Sequence, residues 1–428
     1  MALAGGVAGV LDSVPASAQQ YTTPVVTKRP TGPQTKGADD QSARDASILR
    51  RPRADKPDGL PIGSFVLYPK IELDGEYDDN VFRTRNGTQG DFIFRVRPAL
   101  SLASDWSMHA MELYAQFELG RYADFSSENY EAFSVGGRVR IDINDDLQWQ
   151  TDGDVSRNPL PRAAPGLFGT TFGNRTIINT YSVGTQLIYN GDPWYGRIGP
   201  RFRYVDYVKG TPDSENFKVF DIAGRIGYRV SPDFSVFLDP SYQWVRYDSK
   251  TDVAGFKRDN EGFDIRLGVA YDVAKTVTAE FGAGYFRRTY SDSRFKADDG
   301  LSVLGRLYWN PTDTVSVEFE ARRSFSQYRT TLGNVATVGN AIETYVGLRV
   351  GWEPIDPLVI DAGGAFANYN YRGQGLKEDY WYFDVGAKYY FNAHFYAGPR
   401  YYFEHRNAKP STLNYTDNRI LLTVGAQL

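Results

Sequence analysis

The feature that most restricts this chain is a rhythm in its breaks. Runs of alternating apolar and polar residues follow one another from Ser64 to Leu428, and the connections between them are long and short by turns. The short ones pack turn residues into two to four positions: Ser104-Asp105, Asn144-Asp145-Asp146, Gly191-Asp192-Pro193, Ser231-Pro232-Asp233, Asp272 to Lys275, Asn310 to Asp313, Pro354 to Pro357 and Asn392-Ala393-His394. These eight turns recur about every 41 residues, the period of one hairpin plus one long loop. With nine longer polar loops they join about eighteen strands, 16 to 20 allowing for error, and both chain ends fall on one side.

An even number of antiparallel strands closes without an unpaired edge. The predicted fold is therefore all-β, a transmembrane up-and-down antiparallel barrel of the bacterial outer-membrane kind, with short turns and both termini periplasmic. The 365 residues from 64 to 428 show no composition shift and read as one barrel. No run of eighteen apolar residues exists, so spanning helices are not the anchoring device. A lipid-facing strand needs only one apolar side, and a mean hydropathy of −0.45 is compatible with that.

Period two is plainest at Val315 to Phe325. There Val315, Val317, Phe319, Ala321 and Phe325 oppose Ser316, Glu318, Glu320, Arg322 and Ser324. Phe263, Ile265, Leu267, Val269 and Tyr271 likewise oppose Asp264 and Arg266. Soluble sandwiches alternate too, but their strands average about five or six residues, whereas these run to about ten to fifteen. Trp149, Trp194, Trp309 and Trp352, with Trp106, sit beside short turns, and Trp244 and Trp381 near long loops, as amphipathic rings at two headgroup levels would. Pro69, Pro98, Pro200, Pro240 and Pro399 fall inside predicted strands, where bulges are expected to absorb them.

The opposite parity sets both signs of charge facing inward. Its basic side comprises Arg95, Arg97, Arg138, Arg140, Arg225, Arg229, Arg266, Arg306, Arg322, Arg349 and Arg400. Its acidic side comprises Glu72, Asp74, Glu76, Glu112, Glu118, Asp142, Asp152, Asp154, Asp264, Glu318, Glu320, Glu343, Asp361 and Asp384. Such charges need water or one another, because an unpaired buried charge costs several kcal/mol. A barrel of this width is not filled by its side chains, so a hydrated passage for polar solutes is the expectation. A lumen closed by an Arg/Glu network or a loop, making the barrel a structural or surface-interaction protein, is the alternative. The long loop Asn158 to Asn174, apolar for a solvated segment, reads either as an inward constriction or as an external lid.

Residues 1–18 fit a signal peptide, with an apolar stretch Ala2 to Leu11 and Ala16-x-Ala18 as the cleavage pattern, although the usual positive n-region is missing. Residues 19–63 are rich in Pro and charge and lack spaced apolar residues, which predicts a flexible periplasmic arm. Its cluster Arg50-Arg51-Pro52-Arg53 is plainest as solvated linker; binding a periplasmic export partner and plugging the lumen are its other readings.

No catalytic constellation is present. His109, His394 and His405 lack ligand spacing, and G-x-S-x-G, Walker A and H-E-x-x-H motifs are missing, so an outer-membrane enzyme ranks last and no metal or cofactor is called for. Asp78-Asp79-Asn80 has oxygen ligands suited to calcium but reads as a hydrated acidic trio. The net charge of −4 argues against a nucleic-acid partner.

Tyr68-Pro69, then Tyr77-Asp78-Asp79-Asn80-Val81-Phe82, leading into repeated hairpins, resembles the opening of the Putative β-barrel porin 2 family over about Phe65 to Leu428. The resemblance implies an outer-membrane barrel and a role in exopolysaccharide or capsule export. Tyr382, Tyr390, Tyr396 and Tyr402 share lumen parity with Lys388 and Arg400, a mixture suited to sugar contact or to a structural aromatic ladder.

Overall fold

The computed structural model describes residues 43–50, 52, 55, 57–162, 175–209, 215–252, 255–327, 331–332, 335–336, 340–371 and 376–428. The signal-peptide reading of residues 1–18 lies outside them. Among the described residues no helix is long and apolar enough to cross a membrane.

A four-residue helix, α1 (Ala43–Ala46), precedes a short strand, β1 (Leu60–Ile62). The barrel then runs through β2 (Phe65–Asp78), β3 (Asp91–Ser104), β4 (Ala110–Tyr122), β5 (Tyr130–Asp142), β6 (Leu147–Pro159) and β7 (Ile177–Tyr189). It continues with β8 (Trp194–Lys209), β9 (Phe217–Ser231), β10 (Phe234–Tyr247), β11 (Asn260–Val273), β12 (Val277–Tyr290), β13 (Asp298–Thr312) and β14 (Val315–Gln327). After a small hairpin, β15 (Thr331–Leu332) with β16 (Val335–Ala336), it ends with β17 (Asn340–Ile355), β18 (Leu358–Tyr371), β19 (Lys377–Tyr390), β20 (Phe395–Lys409) and β21 (Tyr415–Gln427).

Consecutive barrel strands pair antiparallel, and β2 closes on β21 from Lys70↔Gln427 to Asp78↔Arg419. Eighteen strands thus form one cylinder in which each barrel strand has a neighbour on both sides. Closure satisfies backbone donors and acceptors within the wall, as lipid requires. Phe65 pairs with Ser104 just before a short turn, while Lys70 pairs with Gln427, so the two ends of the barrel lie at the short-turn rim.

The arm is not featureless up to residue 63. Gly63, at φ +61°, turns β1 back on β2, with Leu60↔Leu67 and Ile62↔Phe65 in register. Leu428 N–H donates to Pro69 O, which places β1 where β21 would otherwise have continued.

Four strand-interior prolines produce no bulge. Beside Pro240 the β9–β10 ladder passes from Leu238↔Ile226 to Ser241↔Ala223, an interruption of equal length on both strands, while Pro240↔Ile265 stays paired on the other side. The same gap accompanies Pro98, Pro200 and Pro399. A proline removes one donor, and the ladder omits that bond on one edge without losing register. The register shifts occur elsewhere, chiefly beside short turns, as at Phe234/Ser235 and Trp352/Ile355.

Candidate functional site

The charged parity is the concave side. Side chains from strands two or three apart can meet only there, and they do: Arg201 on β8 reaches Asp152 on β6 (2.8 Å), and Arg225 on β9 reaches Glu280 on β12 (2.7 Å). The other parity carries exposed apolar side chains over the whole wall, among them Phe92, Ile198, Leu267, Phe281 and Ile420. An apolar surface of that extent is stable against lipid and not against water. Trp149, Trp194, Trp309, Trp352 and Trp381 are exposed on this outer side, and Trp244 is half-buried against Phe220 and Tyr242.

Within, both signs pair. On β2 to β5, Arg95 grips Glu76 through two 2.9 Å hydrogen bonds and donates to Tyr130 Oη (3.0 Å), whose hydroxyl donates to Glu118. Arg97 holds Asp74 (2.6 Å) and Glu72 (3.2 Å). On β17 to β20, Arg349 and Arg400 alternate with Asp361 and Asp384 in a ring of four, each arginine bonded to both acids. The ring has no net charge, and the Asp384 side chain is wholly buried. Arg322 joins Glu343 (2.8 Å) and Glu320 (3.3 Å); Arg225 clasps Asp239 through two bonds of 2.6 and 2.7 Å.

The wall from β4 to β6 is looser. Arg138 meets Glu112 at 3.4 Å with two-thirds of its side chain exposed, and Arg140 meets Asp142 at 3.1 Å. Asp264 accepts from Ser302 (2.8 Å), with Arg266 Nε 3.8 Å away. Arg229 lies over the Tyr195 ring and donates to Gly191 O.

The expected charges therefore share the inner face, but mostly spend themselves on one another. Glu318 has a partner no strand supplies: Ser47 Oγ (3.0 Å) and Arg50 Nε (3.2 Å) of the N-terminal segment. Sequence reading passed over Arg201, Asp239 and Glu280. The alternation Tyr195, Arg197, Gly199, Arg201, Arg203 marks the first, whereas the Arg225–Glu280 contact, three strands across, has no local signal. Also passed over were tyrosines laid across facing glycines, Tyr130 on Gly120 and Tyr396 on Gly425, where a Cβ would come within 2.2 Å of the ring.

The four tyrosines suited to sugar contact divide. Tyr390 and Tyr396 are buried, and Tyr396 donates to Glu72 Oε1 (2.6 Å), so these two pack the wall; Tyr382 and Tyr402 are half-buried, 6.4 Å apart. From residue 163 to 174 the apolar loop lies outside the described residues. Its two roots converge, since Arg162 Nε donates to Glu128 Oε2 (2.9 Å) and Arg175 Nη1 to Glu128 O (3.3 Å). Asp78, Asp79 and Asp417 are grouped at the long-loop rim, with Arg83 bridging Asp78 (3.0 Å) and Asp417 (2.9 Å), and Arg419 beside Asp417. Two guanidiniums already offset two of the three negative charges of that group.

A family model described as "Putative beta-barrel porin 2" matches residues 53–428. Among solved structures, OpdO of Pseudomonas aeruginosa is similar at 13% identity and TM-score 0.47, covering 86% of this chain and 98% of that one. OccAB4 of Acinetobacter baumannii is similar at 11% and 0.43, covering 85% and 98%. The P. aeruginosa outer-membrane protein OpdK is similar at 11% and 0.44, covering 85% and 99%. No curated protein sequence matches.

Proposed function

The chain belongs to the Putative beta-barrel porin 2 family, and from that membership and its two-faced wall we propose that it conducts polar solutes across the outer membrane. The observation that carries this reading is the segregation itself: paired ions on the concave side of a closed eighteen-strand cylinder, apolar side chains outside. Eighteen strands enclose more volume than their side chains fill, and ionic walls wet what remains. The short-turn rim, with both barrel ends, faces the periplasm in this reading, as in outer-membrane barrels generally.

Both charge signs line the passage, which favours weak ion selectivity. Polysaccharide is the finer reading, implied by the family resemblance; Tyr382 and Tyr402 are the aromatic pair left to meet a sugar ring. Swelling of proteoliposomes in neutral sugars of increasing size tests the proposal. Swelling with small sugars supports a channel, and proteoliposomes carrying folded barrel that stay inert to all of them refute it. Loss of exported polymer on deleting the gene tests the finer reading.

A further inference from the structure

A plain solvated linker would leave the inner wall alone, yet the segment before the barrel is seated on it. Ala43 N–H donates to Thr278 Oγ1 on β12 (3.2 Å), and Asn310 at the end of β13 donates to Ala43 O (2.8 Å). Ile48 N–H donates to Ser316 Oγ on β14 (2.9 Å), while Ser47 and Arg50 hold Glu318 two residues further in. Arg44 and Arg50 both lie over the Tyr308 ring, at 5.8 and 5.5 Å. Asp55 accepts from Gln427 on β21 (2.6 Å).

Thr278, Tyr308, Asn310, Ser316 and Glu318 share the inward parity of Glu280, Arg306 and Glu320, and each lies near a short turn. Residues 43–50 thus lie against the inside of the short-turn rim at β12, β13, β14 and β17, and Asp55 meets it at β21. Its seat is cut to fit. Thr278, Ser316 and Gly351 are small where it passes, and a Cβ on Gly351 would come within 2.7 Å of Leu49 Cδ2 and 3.2 Å of Ile48. Ile48 and Ala43 are buried there. Burying apolar groups against the wall, with an Arg–Glu pair in support, gives the seat a reason to be occupied.

We propose that residues 43–50 form an inner belt that narrows the short-turn mouth of the channel and restricts conduction. The proposal rests on the channel reading above, and its test separates the two. The chain has no cysteine among its 428 residues, so Leu49→Cys with Gly351→Cys makes a unique pair. Gly351 Cβ would stand 2.9 Å from Leu49 Cγ, within disulfide reach.

In the full-length double variant the belt predicts a disulfide on mild oxidation of folded, heat-modifiable protein, read by protection from thiol alkylation. It also predicts that deleting residues 43–50 raises unitary conductance in planar bilayers above that of the full chain, while the oxidised variant stays at or below it. Independently alkylated cysteines in folded protein, or an unchanged unitary current on deletion, would overturn the belt. Should Gly351→Cys prevent folding, Glu318→Ala replaces it, and it must raise the current. Folded barrels silent with and without the belt would overturn the channel reading, and the restriction claim with it.

Discussion

Two stretches of the same inner wall use the same residue types to different ends. On β17 to β20, Arg349, Asp361, Asp384 and Arg400 close a neutral ring whose members satisfy one another. On β4 to β6, Arg138 leans toward Glu112 at 3.4 Å while two-thirds of it remains in contact with solvent. The ring depends on register: Gly363 faces both Arg349 and Asp384 across its two ladders, and Gly386 faces both Asp361 and Arg400. Neither glycine has a side chain to block an approach along the sheet. A Cβ on Gly363 would lie 2.7 Å from Arg349 Nη2, and one on Gly386 2.7 Å from Arg400 Cζ. Charge on the first wall is structural; on the second the Arg138 guanidinium stays open to solvent.

That contrast can be broken most strongly at Asp384. Asp384→Ala empties a wholly buried position and leaves two half-buried guanidiniums sharing one acid, and the expected loss is about 3 kcal/mol or more, read from unfolding in detergent. A cost below ~1 kcal/mol would mean the ring is wet and the distinction false. Next in size is a control from the other face. Leu267→Arg, central on β11 and facing outward, is expected to cost about 2–4 kcal/mol in bilayer and to leave conductance alone; tolerance there would contradict the lipid assignment.

Arg201→Ala removes a two-bond contact with the partly exposed Asp152, and a loss of about 1 kcal/mol is expected. The smallest effect on stability belongs to Arg138→Ala, under ~1 kcal/mol. It is instead expected to shift the reversal potential toward cation preference, and a reversal potential that does not move would erase the functional half of the comparison.

Strand order, turn positions and the choice of face were all legible from period two and turn chemistry, because both are local. Leu267 against Arg266 tells which way a strand turns without reference to any neighbour. What a charge bonds to was not legible, since Arg225 and Glu280 lie 55 positions apart and meet only after the wall curves. Nor was the seat of Ala43 and Ile48, whose partners Thr278 and Ser316 lie on a wall that no local window contains. Pro240 misled in a smaller way, because a ladder can omit one bond and keep its register.

The account as a whole stands on a wet, two-signed interior within an apolar shell. Its most direct test is the current through single purified, heat-modifiable barrels in a planar bilayer under a salt gradient. Steady unitary steps with a reversal potential near zero are predicted. Folded barrels that pass no current, or that strongly select one sign of ion, would contradict it.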